Sequence, residues 1–287
     1  MKKSILCLAF FIAIIMMAFV PKDKGKPADA SFSVKEIDKS VAKITDSLYA
    51  GKYEVTNLLY RYWGFDLIKD NKTDMIKIYL PDSLNWRDKL AYNEPFVTYY
   101  FRHPAYDNYP VVNVTYEAAV KYCAWLTDKY NADSKRHFKK VLFRLPTQKE
   151  WENAATGATE DLLLYPWGNR LFQNGKFMCN FRQYGDESIK IDTITKKLVV
   201  DYAFPSNNIG WIEDGADITC PVSSYSPNNY GLYNVCGNVA EMVKEKGTAC
   251  GGSWKSTGGD VTLKSRMHYT KSAVDLGFRY FMQIIEK

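Results

Sequence analysis

The residues most able to carry chemistry lie near the C-terminus, between Gly231 and Arg279. This stretch reads GLYNVCGNVAEMV from Gly231, CGGSW at Cys250–Trp254 and LGFRY at Leu276–Tyr280. The hydroxyl of Ser253 could act as a nucleophile only beside a group that accepts its proton. The histidines of the chain are dispersed, at His103, His137 and His268. We therefore interpret Ser253 as a structural hydrogen-bonding residue.

The cysteines do not have the spacing of a structural zinc site. The chain has six cysteines, and no two of them form a Cys-x-x-Cys pair. Cys123 lies in a helical pattern and is expected to be a small buried hydrophobe. Removal of an N-terminal segment containing Cys7 would leave an odd number of cysteines, so at least one thiol would be free or intermolecular. One or two disulfides are possible among Cys179, Cys220, Cys236 and Cys250.

The N-terminus has the pattern of an export segment. Lys2 and Lys3 precede an apolar run, Ile5–Val20, and Ala28-Asp29-Ala30 resembles a cleavage site. The run is shorter than the roughly 20 apolar residues of a usual membrane-spanning helix, so an uncleaved anchor stays open as an alternative. We predict residues 1–30 to be a signal peptide or anchor. The protein would be exported, in the periplasm or associated with the outer membrane or cell surface.

The composition is that of a folded domain with an aromatic core. Hydrophobic residues make up 46% of the chain and aromatic residues 15%, and the net charge is +6. The positive charges are spread out, without a basic patch interleaved with aromatics, so no nucleic-acid partner is predicted. We expect an N-terminal arm over residues 31–48 and one domain over residues 49–287.

Three helix starts can be predicted from the local pattern. Thr56 or Asn57 is expected to cap a helix, after a strand that includes Tyr53 and Val55. Thr115 should cap a second helix that runs to about Lys129. The third start, FRLPTQKEWENAA, has Thr147 and Glu150 at the spacing of a capping box.

Two long segments lack a clear period. Residues 64–95 are expected to be irregular. Residues 183–210 are polar, and because a structureless loop of that length is unusual, we expect a hairpin with Thr193–Val200 as one strand.

Seven blocks in order resemble one known family. They are YEVTN at 53–57, YPVVNVTYEAAVKYCAW at 109–125, RLPTQKEWENAA at 144–155, YPWGN at 165–169, GLYNVCGN at 231–238, GGSW at 251–254 and GFR at 277–279. Together they resemble the formylglycine-generating enzyme, or sulfatase-modifying factor, domain family. The resemblance implies a single α/β (α+β) domain that is similar to C-type lectins and low in regular secondary structure.

The same resemblance implies that the oxidase activity of the family is absent. Active members hold copper with two cysteines, and the matching positions are Ser256 and Val261. Copper(I) prefers soft thiolate ligands, so no copper is expected. Ala240 stands where the family usually has tryptophan, and the histidines do not form the H-x-x-x-H-x-E spacing of related iron enzymes.

The calcium sites of the family are matched better than its copper site. Calcium takes hard oxygen ligands, and because these include backbone carbonyls, such a site tolerates changes of side chain. The first predicted site comprises Asn234, the Gly237 and Val239 carbonyls and Glu241. The second comprises Asn180, the Phe181 carbonyl, Asp214 and the Ala216 carbonyl. The alternative for the first site is that Asn234 only closes a turn and Glu241 begins a solvated strand.

Three functions follow from these patterns. The first is a non-catalytic exported scaffold with envelope protein partners, because HPAYDNYPVV, GNVAEMV and GGSWK resemble the branch found among gliding-motility and type IX secretion lipoproteins. The second is a sulfatase-maturing or related oxidase that uses other residues. The third is a calcium-dependent glycan- or peptide-binding module, by analogy with lectin-like folds.

Overall fold

The computed structural model describes residues 33–87, 93–159, 163–182, 189–200, 216 and 218–287. The helices in these ranges are α1 Val34–Ser40, α2 Asn57–Lys69, α3 Thr73–Tyr79, α4 Glu94–Tyr99, α5 Tyr116–Ala132 and α6 Gln148–Thr156. The strands are β1 Val41–Lys43, β2 Leu48–Gly51, β3 Lys140–Arg144, β4 Phe172–Gln173, β5 Lys176–Phe177, β6 Ile189–Ile191, β7 Leu198–Val200, β8 Ala240–Met242, β9 Thr248–Cys250, β10 Arg266–His268, β11 Leu276–Gly277 and β12 Phe281–Glu286. Short 3-10 turns occur at Ser83–Trp86, Pro104–Tyr106 and Gly258–Asp260.

The first sheet joins the two ends of the domain. Its strand order is β1-β2-β12-β3, and all its pairs are antiparallel. Phe281 of β12 lies opposite both Ala50 of β2 and Arg144 of β3. Side chains alternate between the two faces of a strand, and β12 buries Phe281 in one hydrophobic cluster and Met282 in another. β12 therefore contributes side chains to two hydrophobic cores, one on each of its faces.

The second sheet carries the GGSW and GFR motifs. Its order is β10-β9-β8-β11, and β8 and β11 are parallel, with Leu276 opposite Ala240 and Gly277 opposite Glu241. A Cβ atom at Gly277 would lie 2.9 Å from the Val111 carbonyl oxygen, so glycine permits this close approach. His268 lies on the edge strand β10 and is exposed.

Aromatic rings fill the larger core, as the composition predicts. Tyr60 of α2 stacks on Tyr122 of α5, with ring centroids 5.5 Å apart and an interplanar angle of 11°. Phe278 contacts both rings edge-on. These geometries are the ones that aromatic pairs prefer. The predicted cap at Thr115 is confirmed, because its side chain accepts a hydrogen bond from the Ala118 amide.

Four sequence-based expectations need correction. The expected arm instead contributes α1, which buries Val34 and Ile37, and the edge strand β1. The strand before α2 ends at Gly51, so Tyr53 and Val55 lie outside it, although Thr56 caps the helix as predicted. The supposedly irregular residues 64–95 hold the end of α2, α3 and the start of α4. The predicted hairpin is present, but its second strand is only Leu198–Val200, because residues 193–195 form the turn.

No helix among the described residues combines the length and apolar character needed to cross a membrane. The predicted export segment, residues 1–30, lies outside the described residues.

The predicted capping box at the start of α6 is confirmed, and Arg144 extends it. The Thr147 hydroxyl accepts from the Glu150 amide, while the Glu150 carboxylate accepts from the Thr147 amide at 2.8 Å. Arg144 donates to both Glu150 oxygens at 2.7 Å. These bonds from Arg144, followed by those from Thr147, lower the pKa of Glu150 to about 2.

We expect Glu150→Gln to lower the free energy of unfolding by about 1 kcal/mol at pH 7, the usual size of a capping contribution. Because the native pKa of Glu150 lies below the unfolded value, its stabilisation is complete above about pH 5 and is lost as pH falls toward 2. Urea unfolding at pH 7 and pH 3 should show the penalty shrinking in acid. Glu36→Gln, on an exposed carboxylate, is the matched control. A penalty that is equal at both pH values would contradict this account.

Candidate functional site

A buried ion pair lies at the centre of the site. Glu241 of β8 and Arg279, between β11 and β12, are each 1% exposed. The Arg279 Nη2 atom donates to Glu241 Oε1 at 2.6 Å, and Nε donates to Oε2 at 3.0 Å. Trp151 of α6 donates its indole N–H to the same Oε2 at 2.8 Å. Glu241 therefore does not begin a solvated strand, and both of its carboxylate oxygens accept hydrogen bonds.

The Arg279 guanidinium also binds three backbone carbonyls from distant segments. Its Nη1 donates to the Gly51 and Lys52 carbonyls at 2.8 and 2.7 Å, and its Nη2 donates to the Tyr233 carbonyl at 2.6 Å. A guanidinium has five N–H donors in a rigid fork. Together with Glu241 on β8, these carbonyls bring the end of β2 and the loop before β8 around the Arg279 guanidinium.

A second carboxylate, Glu54, lies beside this pair and is also 1% exposed. Its Oε1 accepts from the Asn238 side-chain amide at 2.8 Å, and its Oε2 accepts from the Asn234 side-chain amide at 3.3 Å. Burial raises the pKa of Glu54, Arg279 offsets part of the rise and Glu241 adds to it, so that the pKa lies at about 8. The cluster thus contains two carboxylates and one guanidinium.

The loop that contains Asn234 has an unusual backbone. Asn234, Gly237 and Asn238 have φ values of 50°, 79° and 58°, in the left-handed region where asparagine and glycine are tolerated best. A Cβ atom at Gly237 would lie 2.3 Å from the Asn180 carbonyl oxygen. That oxygen accepts from the Asn238 amide at 2.7 Å. The structure therefore brings Asn180, from the second predicted calcium site, directly against the loop of the first.

The first predicted calcium set fits a hard cation in part. The Asn234 Oδ1 atom is buried and has no hydrogen-bond partner among the described residues. Buried polar atoms are normally hydrogen-bonded, so this oxygen is suited to bind a metal ion. Gly237 and Val239 lie on the same buried loop. The Glu241 carboxylate, in contrast, is already engaged by Arg279 and Trp151. The residues fit calcium through oxygen donors, with the charge of Glu241 already offset.

The second predicted set is only partly described. Asn180 and Phe181 are buried, and Ala216 is described, but Asp214 lies outside the described residues. The Asn180 side-chain amide donates to the Ile218 carbonyl at 2.8 Å. Within the described ranges, no group of three or more histidine, cysteine, aspartate or glutamate side chains could hold a metal. A cation here would thus depend on amide and backbone oxygens together with carboxylates.

The GGSW motif forms a hydrogen-bonded turn. Ser253 is fully buried, and its hydroxyl donates to Asp275 Oδ2 at 3.0 Å. The Ser253 amide donates to Ser256 Oγ at 3.0 Å, and the Ser256 amide donates back to the Ser253 carbonyl at 2.9 Å. These contacts support the structural interpretation of Ser253, because a fully buried hydroxyl is inaccessible to a substrate.

Val261 occupies the other position that cysteine holds in active relatives. Its side chain is fully buried and packs against the GGSW backbone. A Cβ atom at Gly252, where φ is 68°, would lie 2.9 Å from the Val261 Cα atom and 2.2 Å from the Asp260 carbonyl oxygen. Position 261 is therefore part of the hydrophobic core, and its side chain has no polar or sulfur atom that could bind a metal.

The disulfides that the sequence left possible are not formed among Cys179, Cys220, Cys236 and Cys250, and these four cysteines and Cys123 are all buried. Burial raises the pKa of Cys236 and raises that of Cys250 to about 12, so both remain protonated thiols at neutral pH. Protonated thiols are poor nucleophiles and poor metal ligands.

Two adjoining cavities open beside the loop that carries Asn234. Their volumes are about 180 and 580 Å³, and they share Met178, Tyr225, Ser226 and Pro227. The residues that line the larger cavity include five that carry a hydroxyl group, Ser223, Ser224, Tyr225, Ser226 and Tyr233. Among the described lining residues, Lys176 is charged and no carboxylate is present.

The walls of these cavities are held rigidly. Trp167 stacks on Tyr165 with a centroid distance of 5.3 Å and an interplanar angle of 3°. The Asn228 side chain donates to the Ala154 and Ala155 carbonyls, and it accepts from backbone amides of its own loop. The volume of the larger cavity lies in the range of small-molecule sites.

Sequence reasoning missed Glu54 and these cavities. The signal for Glu54 was a charged residue between Tyr53 and Val55, two residues expected to lie in a strand, which predicts a buried partner. The cavities combine residues from 166–178 and 223–236, so no local pattern reveals them.

Comparison with known proteins places the chain in a family. The family model for the sulfatase-modifying factor enzyme 1-like domain matches residues 31–284. A formylglycine-generating enzyme of Thermomonospora curvata is 36% identical over 155 residues, which are 54% of this chain and 38% of that protein. The formylglycine-generating enzyme of Mus musculus is 34% identical over 138 residues, covering 48% and 27% of the two chains.

A catalytically inactive relative is also similar. The inactive C-alpha-formylglycine-generating enzyme 2 of Mus musculus is 33% identical over 135 residues, which are 47% of this chain and 31% of that protein. The aligned parts span well under half the length of these three relatives.

The fold is also found in a solved structure, PvdO from Pseudomonas aeruginosa. The TM-score is 0.51 at 17% identity, and the match covers 82% of this chain and 80% of PvdO. This likeness and the family match confirm the predicted single mixed α/β domain. Because the family model spans residues 31–284, the chain belongs to the sulfatase-modifying factor enzyme 1-like domain family.

Proposed function

We propose that this protein is a non-catalytic binding or scaffold protein on the formylglycine-generating enzyme fold. The proposal rests on the residue types and surroundings at positions 256 and 261. Ser256 belongs to a hydrogen-bonded turn, and Val261 is fully buried in the core. A hydroxyl and an isopropyl group cannot replace two soft thiolates around copper(I).

The remaining thiols support the same proposal. Burial raises the pKa of the Cys236 and Cys250 thiols, so neither offers a ready thiolate in exchange for the missing pair. The curated relatives include both active formylglycine-generating enzymes and an inactive one. Loss of catalysis therefore has a precedent on this scaffold.

We further propose that the protein is exported and works within an envelope assembly. The support is the basic and apolar N-terminal segment, together with the blocks that resemble gliding-motility and type IX secretion lipoproteins. Its partners would be envelope proteins, and the segment at residues 5–20 would supply any membrane association.

Calcium would have a structural role in this protein. The residues that would hold it are Asn234, Gly237, Val239 and Glu241 at the first site, and Asn180, Phe181, Asp214 and Ala216 at the second. When bound, the ion would supply positive charge that joins loops with little secondary structure of their own. The buried, unpartnered oxygen of Asn234 is the observation that favours the first site.

The absence of oxidase activity can be tested directly. Purified protein, given copper(I), oxygen and a cysteine-containing peptide, should form no formylglycine in the peptide, as measured by mass spectrometry. A double variant, Ser256→Cys with Val261→Cys, should gain tight copper(I) binding, because it restores two soft ligands. Single variants are the controls and should bind copper(I) much more weakly. Conversion of the peptide by the unmodified protein would overturn the proposal.

The envelope role predicts stable partners. Crosslinking in intact cells followed by purification of the full chain should recover the same envelope proteins in fixed stoichiometry by mass spectrometry. Omitting the crosslinker distinguishes tight partners from transient neighbours. Recovery of the protein as a free monomer under both conditions would contradict the scaffold role.

A second candidate function, glycan binding, is favoured by the paired cavities. Hydroxyls line the larger cavity, and Trp167, on the wall of the smaller one, offers an aromatic surface on which the C–H face of a sugar ring can stack. Rigid walls lower the entropic cost of binding. The cavities adjoin the first proposed calcium loop through Asn234, so this binding would depend on calcium.

Saturation-transfer NMR with N-acetylglucosamine oligomers, mannose and galactose would test this candidate. At least one sugar should receive transfer, and Trp167→Ala should reduce it at least fivefold. Tyr99→Ala, on an aromatic that is 50% exposed elsewhere, should leave it unchanged. EDTA should abolish the signal, whereas no transfer to any sugar, or equal transfer in both variants, would sink the glycan candidate.

A further inference from the structure

A second buried carboxyl group, that of Glu54, lies beside the proposed first calcium site. Arg279 forms a direct ion pair with Glu241, so these two charges offset each other. Glu54 is equally buried, and the side-chain hydrogen bonds that it accepts come from the neutral amides of Asn234 and Asn238. A buried carboxylate without its own cation is costly unless a proton or another cation joins it.

The geometry of Asn234 connects this charge to the proposed ion. Its Nδ2 atom donates to Glu54 Oε2 at 3.3 Å, which turns Oδ1 away from the carboxylate. Oδ1 is then left buried without a partner among the described residues. The reverse orientation of the amide would place two acceptor oxygens against each other. Glu54 therefore fixes which atom of the amide is free to accept a cation.

We propose that Glu54 is the positioning and charge-balancing residue of the first cation site. It holds the Asn234 amide with Oδ1 free for a divalent cation, and its own negative charge offsets that of the ion. Mutation of a group that holds a metal ligand in place commonly weakens metal affinity by about 10–100-fold. The inference rests on the proposed calcium site, and it assigns a role to the YEVTN block.

This role predicts opposite effects of one substitution with and without calcium. Glu54→Gln keeps an oxygen that can accept from Asn234, but it removes the charge. In chelator-treated protein, the melting temperature should stay the same or rise, because the variant no longer buries a carboxyl group that needs a proton or a cation to become neutral. With calcium added, the variant should recover much less thermal stability than the parent protein.

Calorimetric titration of the chelator-treated full chain with CaCl₂ would measure the affinity. We expect at least tenfold weaker binding for Glu54→Gln. Glu54→Asp, which keeps the charge, should bind much more tightly than Glu54→Gln. Glu36→Gln, on an exposed carboxylate of α1, is the matched control and should bind as the parent protein does.

The outcomes separate this inference from the calcium proposal itself. If the parent protein binds no calcium, the proposed site fails. If the parent protein binds calcium and Glu54→Gln binds it equally well, only the role of Glu54 fails. An equal drop in melting temperature with and without calcium, or a Glu54→Gln chain that is unfolded in both conditions, would show a purely structural residue and would also overturn the inference.

Discussion

The buried pair between Arg279 and Glu241 is the interaction on which the rest of the domain depends. One guanidinium binds a carboxylate on β8 and carbonyls at the end of β2 and in the loop before β8. Trp151 of α6 binds the other side of the same carboxylate. Removing one partner of a buried pair leaves an uncompensated charge, which typically costs about 3–5 kcal/mol. The two sheets and α6 thus meet at a single ion pair.

The interactions that hold this domain together lie apart from positions 256 and 261. The ion pair and the loop around Asn234 do not involve the positions where active relatives hold copper. Ser256 and Val261 instead complete a turn and a patch of core. In this domain, structural support is therefore separate from the two positions at which the family resemblance implies copper-binding cysteines. New binding functions can evolve on its surface without disturbing the interactions that stabilise it.

The parts of the fold that could be predicted from sequence are governed by neighbouring residues. The capping box of Thr147 and Glu150 is visible because both partners lie within one turn. The family blocks reveal the overall fold. The burial of Glu54 and the pairing of β1 with β2 depend on contacts outside the local sequence, so local patterns did not predict them. The sequence left disulfides open because the number of cysteines says nothing about the distances between them.

The position of β12 has a consequence for how this chain is made. This strand pairs with β2 near one end of the domain, with Phe281 opposite Ala50, and its two faces close two separate cores. Neither core can be completed until nearly all of the domain has left the ribosome, because contacts so far apart in sequence form late. A nascent chain of this protein therefore cannot bury both faces of β12 until this last strand has been made. An incompletely folded chain is the form in which the export proposed above would occur.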